Sequence, residues 1–373
     1  MNDVLIIGGG LAGLTSAILL QQNGYQVSLF EKKKYPFQRV CGEYVSNEVF
    51  PFLESLNIGI SESGYSRINR LEVTSVSGKT LQADLPMGGF GLSRYKLDHL
   101  LYQQAKSLGV GFIFEKVDNI WFSEGKFRIS TSGNAEYESA IAIAAYGKRS
   151  NLDQKLKRSF FYRRSPYLGV KYHIKTELPS NLIRLDNFEG GYCGVNKIED
   201  DKYCLCYLSE TANLKKYSGI PEMEEQVLYR NPHLRSLFKN SEFLFESPEV
   251  INEISFEKKT LTENHLLFCG DSAGMITPLC GNGMAIAIHS AKLLTESILR
   301  FAKKGSDVNR TALENDYKLN WEKQFALRLN SGRLIQKLFG STFISDLTVS
   351  TLRKFPGMAQ ILVKKTHGKA LLY

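Results

Sequence analysis

Residues 4–31 read VLIIGGGLAGLTSAILLQQNGYQVSLFE, and this stretch decides the fold. Val4–Ile7 is a short apolar run, Leu11–Gln22 has helical composition, and Gln26–Glu31 returns as a second strand. Between strand and helix, Gly8-Gly9-Gly10-Leu11-Ala12-Gly13 matches G-x-G-x-x-G. Glycine is common, so the motif alone is weak. Its context makes it specific: a strand precedes it, a helix follows, and Glu31 ends the next strand 18 residues after Gly13. Gly8 permits a tight turn, Gly10 lets backbone approach a pyrophosphate, and Gly13 allows close helix–strand packing. The amides of Leu11 and Ala12 open the helix toward the anion. Glu31, followed by Lys32, can accept hydrogen bonds from both hydroxyls of an adenosine ribose, where a 2′-phosphate would be repelled.

A second constellation lies far along the chain. Leu266–Cys269 reads as a buried strand, followed by Gly270-Asp271-Ser272-Ala273-Gly274, Pro278 and Gly281-Asn282-Gly283-Met284 opening a helix to about Phe301. Asp271 at a strand end suits a hydroxylated linker. The amides of Gly281–Met284 point a helix's positive end at a group that becomes negative, as the N1–C2=O edge of a reduced isoalloxazine does. Residues 270–274 also spell G-x-S-x-G, but a nucleophile elbow needs its helix immediately after the serine, and here Pro278 and further glycines intervene.

The rest of the chain interleaves. Ser46–Leu56 and Tyr95–Ser107 read as helices, residues 68–85 as a hairpin about Ser77-Gly78, and Val110–Ala145 as strands. Residues 166–256 read as short strands with one helix at Glu222–Tyr229. The expected class is α/β (α+β). A Rossmann-like domain assembled from 1–67, 92–150 and 257–300 would carry an inserted antiparallel-sheet domain made of 68–91 and 151–256. A basic helical region, 301–373, follows.

The 373 residues carry 47 basic and 38 acidic side chains. Residues 301–373 hold 13 basic and 5 acidic ones, so the excess sits at the C-terminus and a nucleic-acid binder, with its basic stripe on the main domain, is disfavoured. Six unevenly spaced cysteines argue against a disulfide framework and for a reducing compartment. No apolar run has the length of a membrane span, and none of the histidines has a partner at metal-ligand spacing. A cytoplasmic protein without a metal is expected, with peripheral membrane contact open to the tail.

Together these residues resemble the FAD-dependent para-hydroxybenzoate hydroxylase superfamily, most closely its geranylgeranyl-reductase and flavin-halogenase branch, over residues 1–300. The resemblance implies that Gly8–Gly13, Glu31 and Gly270-Asp271 bind FAD. It also implies that Arg39, in Gln-Arg-Val-Cys-Gly-Glu, belongs with Gly42 to the segment that runs beside the flavin, and that Arg94 contacts the ribityl or phosphate part; Cys41 could sit against the flavin or serve packing. Two departures stand out. Tyr146-Gly147-Lys148-Arg149-Ser150 has tyrosine where the family has aspartate, which makes NAD(P)H doubtful as direct electron donor. The halogenase Trp-x-Trp-x-Ile-Pro segment is absent. The leading functional reading is a monooxygenase that uses reduced flavin and O2 on a hydrophobic or carrier-bound substrate. A geranylgeranyl-type alkene reductase is the alternative, ahead of a halogenase and a non-catalytic FAD-binding protein. Neither chemistry names a catalytic acid or base in this sequence.

In the tail, Leu313, Tyr317, Trp321 and Phe325 recur every four residues, with Lys318, Lys323, Arg328, Arg333 and Lys337 among the remaining positions of 309–338. Such a helix packs its aromatics on the FAD domain. Its basic face, with Arg353-Lys354 and Lys364-Lys365, offers contact to an anionic membrane or an acidic carrier protein.

Overall fold

The computed structural model describes residues 2–163, 165–277, 281–304, 308–336, 339–366, 368, 370 and 371, with backbone alone at 335, 356 and 363–366. Pro278, Cys280, Lys337 and His367, and the side chains of Val363, Lys364 and Lys365, lie outside the described residues. The apolar opening builds a six-stranded sheet in the order Thr262–Glu263, Leu266–Phe268, Ile141–Ala144, Val4–Ile7, Val27–Phe30, Gly111–Ile113. All neighbours run parallel except the edge strand Thr262–Glu263. Val4–Ile7, Val27–Phe30 and Ile141–Ala144 are buried at every position, as unbroken apolar runs require in a parallel sheet covered on both faces. Helix Leu11–Gln22 packs against helices Arg94–Ser107 and Gly283–Phe301. A three-stranded sheet, Val117–Ser123, Lys126–Thr131 and Glu136–Ser139, lies against strands Val4–Ile7 and Ile141–Ala144.

The second layer is a nine-stranded mixed sheet. Its path runs Glu242–Phe243, Tyr167–Lys175, Tyr203–Glu210, Gly191–Lys197, Leu182–Phe188, Ser66–Thr74, Thr80–Gly91, Tyr44–Ser46, and Glu249–Ile254 also pairs with Tyr167–Lys175. Only Ser66–Thr74 and Leu182–Phe188 pair in parallel. The expected hairpin is thus longer than residues 68–85, and its second strand ends beside the start of helix Arg94–Ser107.

Three local readings differ from the structure. Ser46–Leu56 begins as strand Tyr44–Ser46 and a 3-10 turn, and only Phe50–Ser55 is α-helical, because Ser46 Oγ accepts from Glu48 N and closes the turn early. The helix expected at Glu222–Tyr229 spans Ile220–Val227, with a 3-10 turn at Leu228–Arg230. Helix Pro232–Asn240 has no counterpart in the sequence reading. Asn231-Pro232 suggests a turn, yet Asn231 caps the helix and Pro232 occupies its first position.

Helix Arg310–Gln336 lays Leu313, Tyr317, Trp321 and Phe325 into the main core, and Tyr317 Oη donates to Phe268 O at 2.8 Å. Helices Thr342–Lys354 and Pro356–Thr366 sit on the long hairpin instead, where Val349 and Ala359 pack with Val73 and Leu81.

Candidate functional site

The glycine loop has the geometry its sequence demands. Gly8 adopts φ +105°, and a Cβ there would lie 2.5 Å from Ala145 O. A Cβ on Gly13 would collide with Gly8 O. Gly10 is different: the nearest atom to its Cβ position is Arg94 Nη2, at 3.6 Å. The middle glycine therefore leaves a cradle that a side chain could fill. Above it, helix Leu11–Gln22 starts at Gly10 with no side-chain cap, leaving its first amides free for an anion. Leu11 and Ala12 turn their side chains into the core and present only backbone.

Beside this loop, Glu31 is 7% exposed. Its Oε2 accepts from Gly9 N at 3.1 Å and Arg39 Nη2 at 3.0 Å, and its Oε1 accepts from Lys33 N at 3.2 Å. Arg39 Nε also donates to Asp98 Oδ2 at 2.9 Å. The Arg39 guanidinium thus lies at the Glu31 end of the loop. Asp98 accepts two further bonds from Arg94, at 2.7 and 2.8 Å, and so aligns both arginines along the cradle. Tyr35 Oη donates to Gly9 O at 2.5 Å and its ring stacks on Tyr102. Lys32 is exposed.

The second constellation meets the first through close approach of small residues. Gly270 adopts φ +65°, and a Cβ there would lie 2.8 Å from Ala12 Cβ. Helix Gly283–Phe301 starts at Asn282 without a side-chain cap hydrogen bond from that residue. The helices beginning after Ser93, Ser150, Asn231 and Ser341 are all capped by side chains. Neither site-facing helix is capped by the side chain of its own N-cap residue. Met284 is buried, which leaves its backbone for the site.

Around Asp271 three cations gather. Burial raises the Asp271 carboxyl, while Lys259, Arg94 and Lys148 act to lower it. Lys259 Nζ donates to Lys148 O and Asp271 O, both at 2.7 Å. Burial pushes both lysines down to about 8. Lys148 Nζ is buried with no hydrogen-bond partner among the described residues. A phosphate or polyol fits such a place, because it supplies the acceptors this ammonium lacks.

Between the two constellations runs the segment from Gln38 to Tyr44. Gly42 faces open space, and Tyr44 lies where a Cβ on Gly281 would be 2.9 Å from its ring. The nine-stranded sheet clamps this segment from behind. Glu43, fully buried at φ +56°, accepts from Lys171 Nζ at 2.5 Å and from Arg94 N at 2.8 Å, and lies 2.7 Å from His173 Nε2. Lys171 Nζ also donates to Gln38 Oε1 and Arg39 O, and Cys204 Sγ to Cys41 O. Burial works to raise Glu43, but Lys171 and His173 hold it below the usual carboxylate range. Burial pushes the Cys41 thiol up. Glu43, His173 and Cys204 could offer three metal-ligand atoms within 4.8 Å of one another. Lys171 already supplies the cation, and burial holds the Cys204 thiol protonated, so the cluster is satisfied as an internal ion pair.

The structure thus links Glu31 to Arg39, Arg39 and Arg94 to Asp98, Gly10 to Arg94, Gly270 to Ala12, and Gly281 to Tyr44. Sequence reading assigned no role to Tyr35, Glu43, Lys148, Lys171 and Lys259. The Glu48–Arg328 pair, 2.8 Å apart and buried, ties the C-terminal helix beside the same region.

Residues 1–309 match the family model described as FAD binding domain. Conditioned medium factor receptor 1 of Dictyostelium discoideum is 21% identical, over 94% of this chain and 74% of its own length. Digeranylgeranylglycerophospholipid reductase 1 of Methanosphaera stadtmanae is 27% identical, over 76% of this chain and 71% of its own. The flavin-dependent brominase Bmp2 shares the fold, with a TM-score of 0.80 at 18% identity, over 98% of this chain and 93% of that one. The chain belongs to the FAD-binding-domain family, in the superfamily that includes geranylgeranyl reductases and flavin halogenases, and is an FAD-dependent oxidoreductase.

Proposed function

We propose that this protein reduces carbon–carbon double bonds in a hydrophobic, prenyl-type substrate. The observation that carries the reading is the identity with the digeranylgeranylglycerophospholipid reductase, which exceeds that with the brominase. It moves reduction ahead of the oxygenation that the sequence puts first. Reduced FAD, when bound, supplies the hydride. The chain's own residues bind and orient. Glu31 would take the adenosine ribose, and the amides of Leu11, Ala12 and Gly13, with Arg94, the pyrophosphate over Gly10. Asp271 would accept a ribityl hydroxyl, flanked by Lys148 and Lys259. The amides of Asn282–Met284 would face the flavin edge, with Cys41 and Gly42 along the ring. We assign residues 68–91 and 151–256 to substrate binding, as the layer that clamps this segment from the far side.

O2-dependent chemistry is the second reading, favoured by the brominase's fold likeness across nearly the whole chain. One experiment separates them. Protein reduced anaerobically with dithionite is mixed with a geranylgeranyl lipid, and the product is weighed by mass spectrometry. Gain of two hydrogens without oxygen supports reduction. An oxygen or bromine adduct formed only after air and bromide are added would replace it.

A further inference from the structure

Helix Thr342–Lys354 is amphipathic in an unusual sense. Its inward face, Ser345 and Val349, is buried on the long hairpin, where Ser345 Oγ accepts from Val76 N. Its outward face should be polar in a helix that ends at water. Instead Phe343 is 76% exposed and Leu347 57%, with Ile344 beside them at 40%. The next helix continues the pattern: Phe355, Met358 and Ile361 are each more than half exposed. Phe343, Leu347 and Lys354 follow one another at four- and seven-residue steps along one face. Contiguous large apolar side chains at a surface mark a site of contact.

Charge identifies what they contact. The sequence from 342 to 366 holds Arg353, Lys354, Lys364 and Lys365 and a single acid, Asp346. That acid is engaged by Ser77 Oγ at 2.7 Å and by Lys79 of the hairpin turn. A second copy of this chain would oppose its own positive charge here. A bilayer carrying anionic lipid offers both halves of the match: acyl boundary for the apolar side chains and phosphates for Arg353 and Lys354. Among the described residues no helix is long and apolar enough to cross a membrane, so contact is interfacial.

We infer that the outward face of residues 343–361 docks the protein on an anionic lipid surface. This places the sheet we assign to substrate next to the phase in which a prenyl lipid dissolves. It narrows the sequence expectation, which took the basic positions of helix Arg310–Gln336 together with Arg353-Lys354 and Lys364-Lys365, to the Arg353-Lys354 end, although Lys318 and Lys323 of helix Arg310–Gln336 are also exposed. Arg328 of that helix is buried against Glu48, and its aromatics are core. The inference extends the reductase reading, but its test uses no substrate, so either can fail without the other.

The test is flotation of the full-length, FAD-loaded protein with vesicles of phosphatidylcholine, alone or with an equal part of phosphatidylglycerol. The protein should float with the anionic vesicles at low salt, and less as salt rises. Phe343→Ser with Leu347→Ser should abolish flotation. Arg353→Glu with Lys354→Glu should weaken partition roughly 10- to 100-fold. Both pairs are exposed, so flavin content and thermal midpoint should stay at wild-type values, which separates lost docking from lost folding. No flotation at low salt, or variants that float unchanged, overturns the inference. So does a dimer abolished by Phe343→Ser, or capture of an acidic acyl carrier protein in place of vesicles.

Discussion

At the scale of single residues, Gly10 and Gly13 make opposite predictions from one motif. A Cβ on Gly10 has room within the chain, so Gly10→Val should fold and melt near wild type, yet its side chain would occupy the pyrophosphate's place. Purified Gly10→Val should carry almost no flavin by its absorbance ratio; a full yellow complement would displace the assignment. Gly13→Val would drive its side chain into Gly8 O and should cost about 1–3 kcal/mol or more of stability by denaturant titration. Lys148 and Lys259 give a pH prediction. Burial holds both near about 8, whereas an unfolded lysine keeps its proton to about 10.4. Between those values the unfolded chain binds more protons, so the FAD-free protein should gain stability as pH rises from 8 toward 10. FAD affinity should move the other way. An anionic cofactor favours the protonated lysines and raises their pKa, so binding weakens as pH climbs through 8, about tenfold for each unit of that rise. Isothermal titration of Lys148→Met should give a flatter pH profile, and an unchanged slope would remove Lys148 from the site. The glycines and Glu31 were legible because their partners are near in sequence or belong to a local motif. Lys171 and His173 were not, because they meet Glu43 across 128 and 130 residues, and no local pattern encodes such a meeting; Asp98 was legible as the partner of Arg94 four residues before it, but not of Arg39 across 59 residues.

At the scale of elements, spacing was a good guide to which helix face is buried. The four-residue stripe of helix Arg310–Gln336 is core as expected, with Tyr317 and Phe325 fully buried and Trp321 at 8%. Phe325→Ala should therefore cost about 3–5 kcal/mol in chemical denaturation. Leu327→Ala two positions on, 78% exposed, should stay within about 0.5 kcal/mol. Equal losses at the two sites would mean that the helix is rotated from the orientation described. What spacing could not convey is which neighbour an apolar residue finds. Val349 and Phe343 look alike in sequence, yet one packs on Leu81 of the hairpin and the other faces outward. The pairing of Ser66–Thr74 with Leu182–Phe188 is likewise a parallel contact between segments more than a hundred residues apart, and alternation within either strand is silent about it.

At the scale of the whole molecule, the two helix starts assigned above to FAD would share that one ligand, and the chain carries a single G-x-G-x-x-G fingerprint. A nicotinamide dinucleotide would have to be recognised by surface outside that cradle. The position where the family resemblance expects an aspartate is Tyr146, after strand Ile141–Ala144. Its hydroxyl is already committed to Asp153 Oδ1, at 2.6 Å. Asp153 in turn accepts from Arg158 at 2.9 Å and from Ser150 N at 2.7 Å, inside a buried pair. Arg158 Nη2 donates to Thr260 O and Ser272 O, and the guanidinium lies over the Phe268 ring. Every group of this triad is turned toward the protein, and none projects a carboxylate for a second dinucleotide. Anaerobic stopped-flow reduction of the bound flavin should therefore be slow with NADH and NADPH and fast with dithionite, a small reductant that needs no binding surface. Rapid bleaching of the flavin by NADPH would show that another surface does this work. Tyr146→Asp is not the test it looks from sequence, because it would set two carboxylates side by side in a buried place and raise the pKa of one of them. Tyr146→Phe removes only the hydrogen bond to Asp153, costing about 1–3 kcal/mol, and should leave the slow nicotinamide rate as it was. If that variant instead accelerates reduction by NADPH, the Tyr146–Asp153 contact is what excludes the nicotinamide.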